Sequence, residues 1–423
     1  MTKLTKRIWT SFLLIGLVGQ FAWTIENMYF NVFLYNTIST DPDNIAVMVA
    51  ASAIIATLTT LLMGALSDKL GKRKLFICGG YILWGLSTVT FGFISVENTA
   101  VWFPALNAVA VAAAILIVMD CIMTFFGSTA NDAAFNAYIT DVTNRENRGK
   151  VESKLAVLPL ISMLIIFGAF DPMTRQGLWK EFFTIFGLLV ILTGILSIFL
   201  LKDRPIKKKD DSYLSNLVYG FRPTVIRENP LLFLALSALG LFSVAVQVFF
   251  PYLIIYLQNY LKIEAYAMVL GVVLIIASAV SVIGGNFIDK AGKMTFVLPA
   301  AAVMLMGLTG MFFARSIIAV IVAGIVMMSG YMLVSASLSA AVRDYTPVDK
   351  AGHFQGIRMI FAVLLPMIVG PFIGAAVIKN SRGTYVELGV VKNVPTPSIF
   401  VASAVVLLFV SIPIFLLKRR EKQ

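Results

Sequence analysis

The stretch Gly64–Lys74, GALSDKLGKRK, places one acid, four bases and two glycines inside strongly apolar sequence, and Gly284–Lys293, GGNFIDKAGK, repeats it. Both read Gly, three residues, Asp-Lys, one residue, Gly-Lys. Gly64, Asp68, Gly71 and Lys72 thus stand 221 positions before Gly285, Asp289, Gly292 and Lys293. One charged punctuation mark recurring at the same internal spacing is the mark of a duplicated chain.

The sequence around the two clusters decides what was duplicated. Of 423 residues, 59% are hydrophobic and 13% charged, about half the charged share of a soluble domain. Mean hydropathy is +0.89. Apolar runs long enough to cross a hydrocarbon core as helices recur throughout, and a backbone there must satisfy its own hydrogen bonds. The pattern predicts twelve crossings, near 8–36, 45–67, 75–95, 101–139, 151–171, 181–201, 230–260, 266–288, 295–314, 317–342, 355–378 and 397–417. The fold class is therefore an all-α polytopic membrane protein. If the N-terminus is cytoplasmic, 27 of the 34 Lys and Arg fall on the cytoplasmic side and seven outside. The positive-inside rule then places both termini in the cytoplasm and makes the net charge of +12 topological, with no nucleic-acid partner implied. Cys78 and Cys121 both lie in predicted crossings, so no disulfide framework is expected. The basic, apolar start runs on into GQFAWTIENMYFN without a small-residue cleavage site and reads as a retained first helix.

The long hydrophilic segment 202–229 separates a six-crossing half, 1–201, from a second, 230–423, and reads as a cytoplasmic linker. Upstream of the cluster the 221-residue offset also pairs Gly19 with Gly240, Phe21 with Phe242, Glu26 with Gln247 and Tyr35 with Tyr256. A second match, NAYITDVTNRENRGK with SAAVRDYTPVDKAGH, has an offset of 203 and pairs Asp141 with Asp344 and Gly149 with Gly352. The first half thus carries 18 extra residues before the end of its fourth crossing. That crossing is too long for a bilayer, so part of 96–112 is expected to be an extracellular excursion or a helical extension.

Two parallel six-helix halves are the pattern of rocking secondary transporters. The cluster resembles the signature of the major facilitator superfamily between helices 2 and 3: Gly64, Asp68, Gly71, Lys72 and Arg73 occupy it, and Gly285, Asp289, Gly292 and Lys293 keep it in the second half. The resemblance covers the whole chain and implies two pseudo-symmetric bundles working by alternating access. Glycines permit close helix ends, and the Asp can cap a neighbouring helix or meet a base on the other half. The cluster is expected to act as a conformational latch.

Ionisable residues inside a membrane are costly and mark function. Three acids lie well inside predicted crossings, away from their ends: Glu26, Asp120 and Asp132. In helix 1, Gln20, Trp23, Thr24, Asn27 and Asn31 share one helical stripe with Glu26 on its flank, the pattern of a cavity wall. In helix 4, Ser128, Asp132 and Asn136 share a face, with Asp120 about 120° away in a regular helix. The repeat matches Glu26 to Gln247 and Asp132 to Ser335, so the acids are confined to the first half. This asymmetry predicts a coupling cation, proton or sodium, at Glu26 and Asp132, with Asp120 a third candidate. A neutral polar solute would bind near Gln20, Trp23, Asn27, Asn31, Asn136, Gln247 and Arg358. Trp23, Tyr29, Phe135, Phe249, Phe250 and Tyr331 are aromatics able to stack on a sugar ring. Lys154 begins helix 5 and is read as snorkelling to the interface.

GQFAWTIEN, with Gln20, Phe21, Trp23 and Glu26, resembles helix 1 of the sucrose-type and related glycoside–pentoside–hexuronide:cation symporters, and NDAAFNAYITDVTNRENRG, with Asp141 and Arg148, their helix 4–5 junction. This resemblance implies uptake of a sugar or glycoside. Proton-coupled efflux is the alternative, although helix 4 has no Arg and helix 5 lacks the Gly-Pro signature of multidrug antiporters. An enzyme would need a nucleophile with its base or a metal cluster. The one histidine, His353, lies in a predicted loop. Neither a metal nor a cofactor is expected beyond the coupling ion, and the expected partners are the solute and membrane lipids around a monomer.

Overall fold

The computed structural model describes residues 5–143, 151, 154–155, 157–202, 222–291, 293–347, 351–381, 384–387 and 390–421, with backbone alone at 285–291, 293, 351–353, 355, 384–387 and 390–392. Among the described residues twelve helices are long and apolar enough to cross a membrane: Lys6–Ile38, Pro42–Leu70, Arg73–Phe93, Ala108–Val142, Leu158–Arg175, Trp179–Leu200, Pro230–Tyr260, Tyr266–Gly284, Met294–Phe313, Ile317–Tyr345, Gly356–Asn380 and Ser398–Glu421. They are the first to twelfth spans below. The number and order agree with the hydropathy reading.

Most boundaries agree within four residues, and two starts differ by seven. The fourth span begins at Ala108, not near 101, because Pro104 cannot continue a helix from the short segment Val96–Trp102. Each piece has its own N-cap: Ser95 Oγ accepts the Asn98 amide at 3.1 Å and Asn107 Oδ1 that of Ala110 at 3.1 Å. The fifth span begins at Leu158, with Pro159 in its first turn, rather than at 151. One antiparallel hairpin, Thr384–Glu387 with Val390–Asn393, joins the last two spans and was not anticipated.

By their contacts the residues form two compact units, Met1–Ser39 with Ala51–Asp211, and Thr40–Ala50 with Ser212–Gln423. The sequence halves place 40–50 in the first bundle, whereas its contacts place it in the second unit. There Lys379 pairs with Asp43 and, at 3.2 Å, with Asp41. The Tyr252 hydroxyl donates to the Pro371 carbonyl at 2.9 Å and also lies 3.2 Å from the Pro42 carbonyl.

Within the first unit, the third and sixth spans pack closely, and the first span lies against the fifth and sixth. Interlocked rings fill one end: Phe30 sits 4.3 Å from Phe91 between ring centroids, and Phe33 5.0 Å from Phe183. The third span also packs on the middle of the fourth, which brings the helices carrying all three acids into one unit.

Candidate functional site

The first and fourth spans are not regular α-helices. At Ile25–Tyr29 the first span opens into a wide turn, where the Phe30 amide bonds the Ile25 carbonyl five residues back. The fourth span does the same over Ser128–Phe135, and the Asn136 amide reaches the Asn131 carbonyl. Such turns are frequent at functional sites. Their local cause is legible in the fourth span, where Ser128, Thr129, Asn131 and Asp132 crowd side-chain hydrogen-bonding groups against the backbone ladder. Thr129 Oγ1 donates to the Phe125 carbonyl at 2.7 Å.

The wide turn changes which residues share a face. Asp120, Thr124, Ser128, Asp132 and Asn136 follow every fourth position, and in a regular helix each such step over-rotates by about 40°. A turn closed five residues back holds more residues and takes up part of that rotation. Asp120 and Asp132 both lie within electrostatic reach of Glu26 of the first span. The wide turn thus lessens the 120° separation expected from a regular helix, and Asp120 is 1% exposed.

The acids occupy two different environments. Glu26 and Asp120 are buried. Thr124, one turn along from Asp120, donates its hydroxyl to Glu26 Oε1 at 2.9 Å. Glu26 Oε2 and Asp120 Oδ1 are buried and accept no hydrogen bond. Asp132, half-buried, is surrounded by donors. Ser128 Oγ donates to its Oδ2 at 3.1 Å and Asn131 Nδ2 to its Oδ1 at 3.3 Å, while the Trp23 indole approaches the same carboxylate. Asn131 is fixed in turn: its Oδ1 accepts the Tyr81 hydroxyl at 3.0 Å, and that oxygen also lies 2.8 Å from the Ile15 carbonyl. A Cβ at Gly19 would stand 2.6 Å from Asn131 Oδ1 and 2.7 Å from the Tyr81 hydroxyl, so the first span comes this close because position 19 has no side chain.

The polar stripe of the first span divides. Gln20, Trp23 and Asn27 are half-buried, whereas Thr24 and Asn31 are buried. Thr24 Oγ1 meets Ser162 Oγ at 3.1 Å, and Asn31 Nδ2 donates to the Asn27 carbonyl at 2.9 Å. Asn31 is therefore no part of an exposed wall here, a correction to its reading as a solute contact. Asn136 is exposed, its amide donating to the Asp132 carbonyl at 3.1 Å. Gln247 and Arg358, both half-buried, lie in the second unit, Gln247 against Gly370. Most of the nominated aromatics are packing residues. Phe135 meets Phe12, Phe249 meets Phe400, and Tyr331 stacks on Phe242 at 5.7 Å. Trp23 lies 5.0 Å from Trp84, and Lys154 Nζ lies 4.2 Å above the Trp9 ring.

In the glycine-rich cluster, Gly71 turns the chain at φ +66°, a conformation a side chain disfavours. The turn delivers Arg73, 5% exposed, to Asp68, to Ser67 and, at 3.1 Å, to Asp141 Oδ2. Asp68 thus meets a base of its own loop; the expected capping or cross-half contact is not the one it makes among the described residues. Gly64 is half-buried and Lys72 exposed. The second copy at Gly285, Asp289, Gly292 and Lys293 lies outside the residues whose side chains are described, as does His353.

One buried acid was missed. Asp171, 0% exposed, accepts the Tyr29 hydroxyl at 3.0 Å and pairs with Arg175 at 3.0 Å, tying the wide turn of the first span to the fifth. It stands at the last position of the predicted crossing 151–171, beside Pro172. The Arg four residues on was the available signal of an ion pair.

The folds of solved transporters match this one. A variant of the nucleoside transporter NupG aligns with a TM-score of 0.72 at 13% identity, over 96% of this chain and 97% of that one. A bacterial homolog of the human lysosomal transporter Spinster aligns at 0.69 and 13%, over 99% and 98%. The xylose transporter XylE from E. coli aligns at 0.65 and 13%, over 95% and 97%. No curated protein matched the sequence. The sequence itself matches the Major Facilitator Superfamily over residues 12–371, most of its length. With twelve apolar helices, a duplicated signature between helices 2 and 3 and helices 8 and 9, and this match, the chain belongs to the Major Facilitator Superfamily of transporters.

Proposed function

We propose that this transporter takes up a neutral, polyhydroxylated solute, a sugar or glycoside, driven by a cation and by alternating access. The carrying observation is the set of three carboxyls, Glu26, Asp120 and Asp132, gathered on two helices of one unit, with Glu26 and Asp132 inside wide turns. A carboxyl inside a membrane that binds and releases a cation can couple that ion's gradient to the solute. Uncharged hydrogen-bonding groups nearby, Gln20, Trp23, Asn27 and Asn136, are at least partly accessible, which suits hydroxyl groups better than a charged solute. Gln247 and Arg358 are the corresponding contacts proposed in the second unit. The solved structures of like fold include a xylose transporter and a nucleoside transporter, which favours the same reading.

The excess of Lys and Arg on one set of loops orients the chain with both termini in the cytoplasm of a cell membrane. Asp68, Arg73 and Asp141 join the ends of the second, third and fourth spans, and this cluster, with the second copy around Asp289, is the proposed conformational latch. The test is uptake of labelled mono- and disaccharides into proteoliposomes under an imposed proton or sodium gradient. Accumulation of one sugar above its external concentration is expected. Gradient-driven extrusion instead, or no response to any sugar with either ion, would overturn the proposal.

A further inference from the structure

We infer that Glu26 and Asp120 hold a single proton between them and that this proton is the coupling ion. The inference rests on the proposed cation coupling and specifies its ion and its site. It starts from hydrogen-bond accounting. A carboxylate oxygen only accepts, and a buried acceptor without a donor is costly. Glu26 Oε2 and Asp120 Oδ1 are two such acceptors, on side chains 8% and 1% exposed, from two helices joined at this level by the Thr124–Glu26 hydrogen bond. Asp132 is the further titratable group that acts on Glu26, and the pair in turn acts on the Cys121 thiol; neither of these neighbours is cationic. No group of three or more His, Cys, Asp or Glu able to hold a metal occurs among the described residues.

One proton removes the deficit. Placed on either carboxyl, it converts an acceptor into a donor and leaves one negative charge shared by two acids, the usual outcome when two carboxyls crowd one site. A metal cation fits less well. Two carboxyls and one hydroxyl make a short oxygen set beside the six or more that hard cations take, and the Thr124 hydroxyl already directs its hydrogen at Glu26. Asp132 differs, because both its oxygens already accept from neutral donors. Loading moves a proton from water onto one carboxylate oxygen of the pair, and release returns it, with no other bond made or broken.

Infrared spectroscopy of the full-length protein in lipid tests this without any solute, through the carbonyl stretch of a protonated carboxyl and its shift in D2O. Wild type is expected to show the band. Glu26→Gln and Asp120→Asn should each abolish it, because the new amide donates to the remaining acid, while Asp132→Asn keeps it. No band in wild type, a band halved by each substitution as two separate protons require, or one lost only in Asp132→Asn would each overturn the inference. If either variant fails to fold, Thr124→Val serves instead: losing the hydroxyl on Glu26 should shift the band, and an unmoved band would place the proton elsewhere. A normal band without gradient-driven uptake would contradict the coupling function and leave the shared proton intact.

Discussion

Glu26 with Asp120 and Asp132 with its neighbours present the same functional group on the same two helices in opposite circumstances. The first pair has a single hydroxyl donor and two buried oxygens that accept nothing; the second has Ser128, Asn131 and the Trp23 indole around one carboxylate. A third arrangement completes the series at the glycine-rich cluster, where Asp68 and Asp141 are met by a buried guanidinium. Carboxyls of one chain are thus told apart by what satisfies them: an added proton, neutral donors or a fixed cation. The first is suited to coupling, the second to organising the polar wall beside Trp23 and Asn136, and the third to holding helix ends.

The sharpest way to break this division is to neutralise the acids one at a time. Glu26→Gln or Asp120→Asn should abolish gradient-driven accumulation while solute exchange across the membrane persists, as counterflow in proteoliposomes would show. Asp132→Asn should keep the proton-to-solute ratio and weaken solute binding roughly tenfold or more, the scale of hydrogen bonds to a charged group. Its checks are the half-saturation concentration and the ratio of proton to solute flux. Equal loss of coupling in all three variants would erase the distinction.

Much of this was legible in sequence, and the limits have physical causes. The twelve spans follow from apolar length, and the two halves from the 221-residue echo of Gly64, Asp68 and Gly71. Glu26, Asp120 and Asp132 stood out because ionised groups in a membrane need a reason. What did not follow was their grouping. A regular helix puts Asp120 away from Asp132, and only the wide turn at Ser128–Phe135, a local contest between side-chain and backbone hydrogen bonds, lessens the difference. The burial of Asn31 and the Tyr29–Asp171 link depend on packing between helices distant in sequence. So does the pairing of Arg73 with Asp141, 68 positions away.

Two smaller effects refine the comparison. Arg73→Met copies the residue at the equivalent position of the second half, Met294, and removes the guanidinium from two partly exposed carboxylates. It should lower stability by about 1–3 kcal/mol, read as a lower melting temperature, with the proton-to-solute ratio unchanged. Gly19→Ala pushes a methyl group against Asn131 and Tyr81 and so disturbs the donors of Asp132 without touching Glu26 or Asp120. It should reproduce Asp132→Asn in milder form, a several-fold weaker solute affinity with coupling intact; loss of coupling would show that the two acid environments are not separable.

The most direct measurement of the central claim is the external pH of weakly buffered, de-energised cells as the accumulated sugar is added. The account predicts transient alkalinisation in wild type and in Asp132→Asn, the latter at higher sugar concentration, and none in Glu26→Gln or Asp120→Asn. Alkalinisation that survives in Glu26→Gln and Asp120→Asn but vanishes in Asp132→Asn would place the coupling proton on the wrong acid and contradict it.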